Sequence, residues 1–179
     1  PVTPPLVGSW NTKYVHDAQI VSIGNQEIAF CCSGFNGGGT QTGLSIVDVT
    51  NKSNPVVLQE VFWPNAGYSH QVWLSEDLRY AYLNDELDED GSFPTTTYVI
   101  DVQNPSQAFY VGSFTNGNTA IGHNLYLHDD LIYEANYRSG LRVFETSNPT
   151  NPTELYWFDT YPENDADGLN GLWSVYPYF

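Results

Sequence analysis

The sequence predicts an all-β fold built from repeated four-stranded units, and three observations predict it. Apolar and polar residues alternate over short stretches, and no stretch holds a sustained helical period of apolar residues. Tyr, Phe and Trp make up 15% of the chain, and these residues favour strands over helices. Fifteen Gly and eleven Pro interrupt the alternation, where they close turns and break helices.

The elements repeat in order. The first unit begins at His16 with "HDAQIV", continues through "EIAFCCSG" and "GLSIVDVTNKSNP", and ends with "VVLQEVF". The second begins at His70 with "HQVWLS", followed by "LRYAYLNDE", "TTYVIDVQNP" and "AFYVGSF". The third begins at His123 with "HNLYLH", followed by "DLIYEANY", "GLRVFETSNPTNP" and "ELYWFDT". In each unit the third strand ends in an acid (Asp48, Asp101 or Glu145), and an Asn-Pro turn follows. The three histidines are 54 and 53 residues apart, and a fourth start, "NGLWSV", appears at Asn170, 47 residues later. Periods of roughly 40–50 residues with four short strands each are the mark of β-propeller blades.

Blades are therefore expected at about 15–66, 67–118 and 119–165, with 166–179 as the first strand of the next. Closed rings have about four to eight blades. The chain is thus expected to be part of a larger propeller, or to have its ring completed by a further chain that covers its open edges. It contains no Met, as expected of a processed chain or a piece of a longer one.

Charge excludes some partners. The formal net charge is −16, with only five basic residues, which argues against nucleic acid and against anionic lipid. No apolar run approaches the length of a membrane span, so no membrane insertion is expected. The same charge is compatible with divalent cations or a salty extracellular setting. Cys31 and Cys32 are adjacent and point to opposite faces of a strand, so the favoured reading is two small residues with one of them buried, the alternative being a vicinal disulfide or a bond to another chain.

Several stretches resemble a known family. "YSHQVWLSEDLRYAYLNDELDEDG" with "TTYVIDV", "TAIGHNLYLHDDLIYEANYRSGLRVFET" and "WFDTYPENDADGLNGLWSVYPYF" are similar to the choice-of-anchor B family. "LSIVDV" and "YVIDV" resemble the core of its LVIVD-type repeat. The resemblance implies a secreted or bacterial cell-surface propeller whose longer form carries a variable anchoring segment. It implies no reaction and no catalytic residue.

His16, His70 and His123 hold equivalent positions and form the first candidate set. Alternation places each on the face of an apolar pair: Ala18 and Ile20, Val72 and Leu74, or Leu125 and Leu127. That pattern fits a buried histidine bonded within its own unit, and three convergent imidazoles would also fit a metal. Asn170 at the equivalent fourth position favours the structural role. His128, beside Asp129 and Asp130, falls outside the repeat.

The second set is "NDELDEDG", where Asp85, Glu86, Asp88 and Asp90 offer hard oxygen ligands suited to Ca²⁺. The stretch is not an EF-hand, because Thr97 stands where the bidentate Glu belongs and no helices flank it. Asp165 and Asp167 in "ENDADG" are a further calcium candidate, although such residues also serve as plain turn formers. The glycines of "CCSGFNGGGTQTG" lack the Lys and helix of a phosphate loop. Arg138 is expected to pair with a carboxylate, with Glu134 the nearest candidate. No serine sits in a nucleophile elbow, and no catalytic or cofactor-binding residue is assigned.

The function expected is a calcium-stabilised extracellular binding or interaction module. Its partner would be a protein or a polysaccharide at the cell surface, with self-association through open propeller edges. The alternatives are a hydrolase or lyase acting on an extracellular polymer, and a structural subunit of a surface assembly.

Overall fold

The computed structural model describes residues 3–34, 41–89 and 93–178. Among them the chain forms β1 (Asp17–Ile23), β2 (Gln26–Ser33), β3 (Gly43–Asp48), β4 (Val56–Val61), β5 (Ser69–Leu74), β6 (Tyr80–Asp85), β7 (Thr96–Asp101), β8 (Phe109–Thr115), β9 (Asn124–His128), β10 (Leu131–Ala135), β11 (Leu141–Glu145) and β12 (Thr153–Phe158). A short 3-10 turn at Pro105–Gln107 is the only helical element among the described residues. The strands make three antiparallel sheets, β1-β2-β3-β4, β5-β6-β7-β8 and β9-β10-β11-β12, each in sequence order.

The sheets stack face to face. Alternation along β6 sends Ala81 and Leu83 to one side and Tyr80 and Tyr82 to the other. The first pair joins a core with Phe30, Leu44 and Ile46 of the first sheet. The second pair joins Leu125, Leu127, Ile132 and Phe144 of the third. Because the middle sheet is covered on both faces, β6 is buried along its whole length. Cys31 and Cys32 do point to opposite faces, but both are buried and both are free thiols. The second covered face arises because Trp10 and Val15 pack over Cys31.

The first strands of the sheets lie next to one another, β1 against β5 and β5 against β9. This brings the three repeat starts together at one end of the molecule. The last strand of the third sheet stands at the opposite extreme, with Tyr156, Trp157 and Phe158 of β12 each more than 60% exposed. A repeated irregularity also appears. The pairing of third with fourth strand shifts register once in each sheet, at Ile46/Val47, Val99/Ile100 and Val143/Phe144. Each bulge sharpens the twist of the outer strand.

The stretch from Asn170 forms no strand among the described residues. It makes a single bridge, Tyr137 to Leu172, because no further strand lies beside it to extend a ladder. Gly171, at φ 94°, allows this approach: a Cβ there would stand 2.7 Å from the Tyr137 carbonyl carbon.

Candidate functional site

The repeat histidines stack in a row. Ring centroids are 4.3 Å apart from His16 to His70 and 4.2 Å from His70 to His123. His70 and His123 are buried, while His16, at the outer end of the row, is exposed. Ala18 and Ile20 are exposed for the same reason, since among the described residues no sheet packs against that side of β1.

Their hydrogen bonds run between sheets rather than within them. His70 Nδ1 bonds the carbonyl of His123 at 2.8 Å, and His123 Nδ1 bonds the carbonyl of Trp173 at 2.6 Å. A carbonyl only accepts, so Nδ1 carries the proton in both rings. The remaining nitrogens face one acid. His70 Nε2 lies 3.6 Å from Glu86 Oε2, and His123 Nε2 lies 3.6 Å from Glu86 Oε1. Burial and the two neighbouring imidazoles push His70 down to about 3, outweighing its bond to the His123 carbonyl. His123 is also lowered, chiefly by burial.

Tyr137 supports Glu86 from the third sheet. Its hydroxyl donates to Glu86 Oε1 at 3.0 Å. The residue holds the left-handed conformation, with φ 37°, a strained geometry for an aromatic residue. His16 Nδ1 bonds the Tyr68 hydroxyl at 2.9 Å instead of reaching the acid. An open pocket of about 460 Å³ covers the cluster, lined by Asp17, Asn124, Leu169 and Trp173 besides these residues. His70, Glu86 and His123 bring three ligand-capable atoms within 4.8 Å of one another.

The acidic loop divides. Asp85 is fully buried and accepts from the backbone amides of Gly67, Tyr68 and Leu87 at 2.9, 2.5 and 3.2 Å. Asp88 accepts from the Tyr98 hydroxyl at 2.5 Å, and Glu89 accepts from the amide of Gly122 at 3.1 Å. Burial raises both well above the usual carboxylate range, helped by the charge of Asp85 at Asp88 and of Asp88 at Glu89. Among the described residues, Asp85, Glu86 and Asp88 do not gather as one ligand group. Asp90 lies outside the described residues. Asp165 and Asp167 are exposed and join no such group. His128 forms a separate exposed group with Glu76 and Asp129.

Arg138 does not pair with Glu134. It donates to Asn164 and Asn170 at 3.0 and 2.9 Å, so the fourth repeat position is held by a surface amide bond. Glu134 is buried on the neighbouring strand, where it accepts from Thr97 at 2.5 Å and Asn136 at 2.9 Å. Its place in the core follows from alternation with Ile132 on β10, and the Tyr137 turn carries Arg138 away from it. Tyr137 was not among the residues singled out from sequence. Its offset of 14 residues from His123 has no signature in the other units.

Comparison with known proteins fits this architecture. Residues 39–61 and 66–116 match the LVIVD repeat. The second segment covers the whole middle sheet, and the first covers the two outer strands of the sheet before it. None of the curated proteins matches the chain. A chain in the crystal structure of a nidogen/laminin complex is similar in fold, with a TM-score of 0.51 and 7% identity over 80% of this chain. That neighbour is a β-propeller, and the present chain spans 46% of its length. The class is thus defined: an all-β, propeller-like chain of four-stranded antiparallel sheets carrying LVIVD repeats.

Proposed function

We propose that the chain is a propeller-type binding module of the extracellular or cell-surface class, of the choice-of-anchor B kind. In this reading its sheets are three successive blades, 15–66, 67–118 and 119–165, and 166–179 leads towards the next. One observation carries the assignment of its binding end: equivalent positions in consecutive sheets meet at a single open pocket. Trp173, 69% exposed at the pocket wall, offers a flat face for a sugar ring or an aromatic side chain. The apolar edge on β12 supports a second contact, in which a further sheet from the same or another chain packs beside Tyr156 and Trp157.

The module binds a protein or polysaccharide partner through the pocket end. Immobilised protein exposed to a panel of bacterial polysaccharides and surface proteins should retain a ligand, and Trp173→Ala should abolish retention. No retention, or retention indifferent to Trp173→Ala, overturns this reading. Calcium enters it through Asp88 and Glu89, each of which has a buried oxygen without a donor. A melting temperature unmoved by EGTA and by added calcium removes that ion.

A second reading rests on the convergence of two imidazoles and a carboxylate in the same pocket, residue types suited to acid–base chemistry. It makes the module a hydrolase or lyase on an extracellular polymer. Release of fragments from a polymer panel, abolished by Glu86→Gln, is its test.

A further inference from the structure

We propose that His70, Glu86 and His123 form a binding site for a divalent ion of the zinc class, with one coordination position open to the pocket. The inference rests on the pocket described above, but not on what partner the pocket binds.

The argument starts from donors and acceptors. Both histidines spend Nδ1–H on backbone carbonyls of the next segment. A neutral ring carries one proton, so each Nε2 presents a bare lone pair. Both lone pairs face the oxygens of one carboxylate, itself an acceptor when ionised. Among the described residues, the Tyr137 hydroxyl is the one donor to the Glu86 carboxylate. Two nitrogen lone pairs and a carboxylate within 4.8 Å together suit a positive centre between them.

A proton satisfies only part of this need. Protonating one Nε2 makes one ion pair and leaves the other lone pair unmatched. Protonating both would set two cations in rings 4.2 Å apart. One divalent ion engages all three ligands. With metal–ligand bonds of about 2 Å in a tetrahedron, neighbouring ligand atoms stand about 3.4 Å apart. The two nitrogen–oxygen separations, each to a different oxygen of Glu86, are 3.6 Å, close to that span, and the three ligand atoms lie within 4.8 Å of one another.

The ligand types choose the ion. Two imidazoles with one carboxylate suit zinc and its neighbours, whereas calcium takes oxygen ligands. The carbonyl bonds to Nδ1 are the supports that orient metal-binding histidines. They also tie the site to the fold: the His123 carbonyl holds the His70 ring, so successive sheets supply ligand and support in turn. His16 stacks on the row but turns its Nδ1 to Tyr68, and it is not a ligand.

The test needs no partner or substrate. The whole chain is dialysed against chelator and titrated with Zn²⁺ by calorimetry, then with Co²⁺ while visible absorption is followed. One equivalent of each ion should bind, and Co²⁺ should develop d–d bands of low coordination number. Glu86→Gln, close to isosteric, should weaken Zn²⁺ on the order of 100-fold, as should His123→Ala. His16→Ala should leave stoichiometry and affinity unchanged. His128→Ala, at the separate exposed group, should do the same. Circular dichroism of each variant separates loss of ligand from loss of fold. Should His123→Ala misfold, Glu86→Gln alone decides. Absence of stoichiometric Zn²⁺ binding, binding untouched by Glu86→Gln, or binding lost with His128→Ala overturns the proposal. Metal binding without retention of any partner would sink the function proposed above and leave this site standing.

Discussion

Glu86 and the acids around it come from one short stretch at the end of β6, yet they meet opposite surroundings. Asp88 has a tyrosine hydroxyl and Glu89 a glycine amide, each with its other oxygen buried and without a donor, but Asp85 faces three backbone amides. Glu134, buried on the next sheet, likewise faces donors, Thr97 and Asn136. Among the described residues, Glu86 faces two nitrogen lone pairs and a single hydroxyl. An acid surrounded by donors belongs to the fold, and removing it strands those donors. An acid surrounded by acceptors is poorly matched by the fold alone, and it marks where a cation is wanted. Density of carboxylates along the chain does not separate these cases. The polarity of what each carboxylate meets does.

The largest effect expected from this contrast is at Asp85. Asp85→Ala leaves three amides without their acceptor, two at the turn before β5, which positions His70, and one just past β6. The loss should be about 4 kcal/mol, read as a lower midpoint in urea unfolding. A change below about 1 kcal/mol would mean that water replaces the carboxylate and that the donor-facing acids are not structural.

Next comes the pH dependence at Glu134. Burial raises its carboxyl from 4.5 to about 7. A raised acid holds its proton in the folded state while the unfolded chain has released it. Its contribution is therefore complete below pH 4.5 and is lost as pH rises through about 7. Glu134→Gln removes that loss. The amide can also donate to Asn136 Oδ1, which is buried without a partner. Relative to the native chain, the variant should gain roughly 3 kcal/mol by pH 9 and nothing below pH 4.5. Denaturant midpoints measured across that range check it, and parallel curves for the two proteins would refute it.

Much of the architecture is legible in sequence because strand alternation and the unit period are written directly in residue order. His16, His70 and His123 announce themselves at equivalent positions, each within a residue of the start of the first strand of a sheet. What period cannot convey is which side of a sheet another sheet covers. That is why His16 and Ile20 are exposed where the pattern predicts burial, and why both cysteines are buried where one is predicted. The direction in which histidine bonds run is equally hidden. It depends on how adjacent sheets abut, and the bonds cross from one unit to the next. Glu86 sits one residue past the end of β6, so alternation no longer says where it points. Tyr137 reaches it from a left-handed turn that no local motif announces. The shared bulges in the outer pairings are likewise absent from the apolar pattern, since a bulge inserts one residue without changing its type.

The smallest effect should fall on the acid at the centre of the candidate site. In chelator, Glu86→Gln keeps an oxygen for the Tyr137 hydroxyl and turns an amide donor towards a bare imidazole nitrogen. Stability should therefore change by less than about 1 kcal/mol, in either direction, despite the removal of a charge from a largely buried place. With zinc present, the two proteins should part. An ion at a hundred times its dissociation constant stabilises the native chain by about 2.7 kcal/mol, and the variant should gain far less. Asp85 and Glu86, adjacent in sequence, would then have exchanged ranks: one indispensable without metal, the other felt only with it. If Glu86→Gln instead costs as much in chelator as Asp85→Ala, then Glu86 is bound by protein donors after all. The histidine row would in that case be a seam between sheets and nothing more.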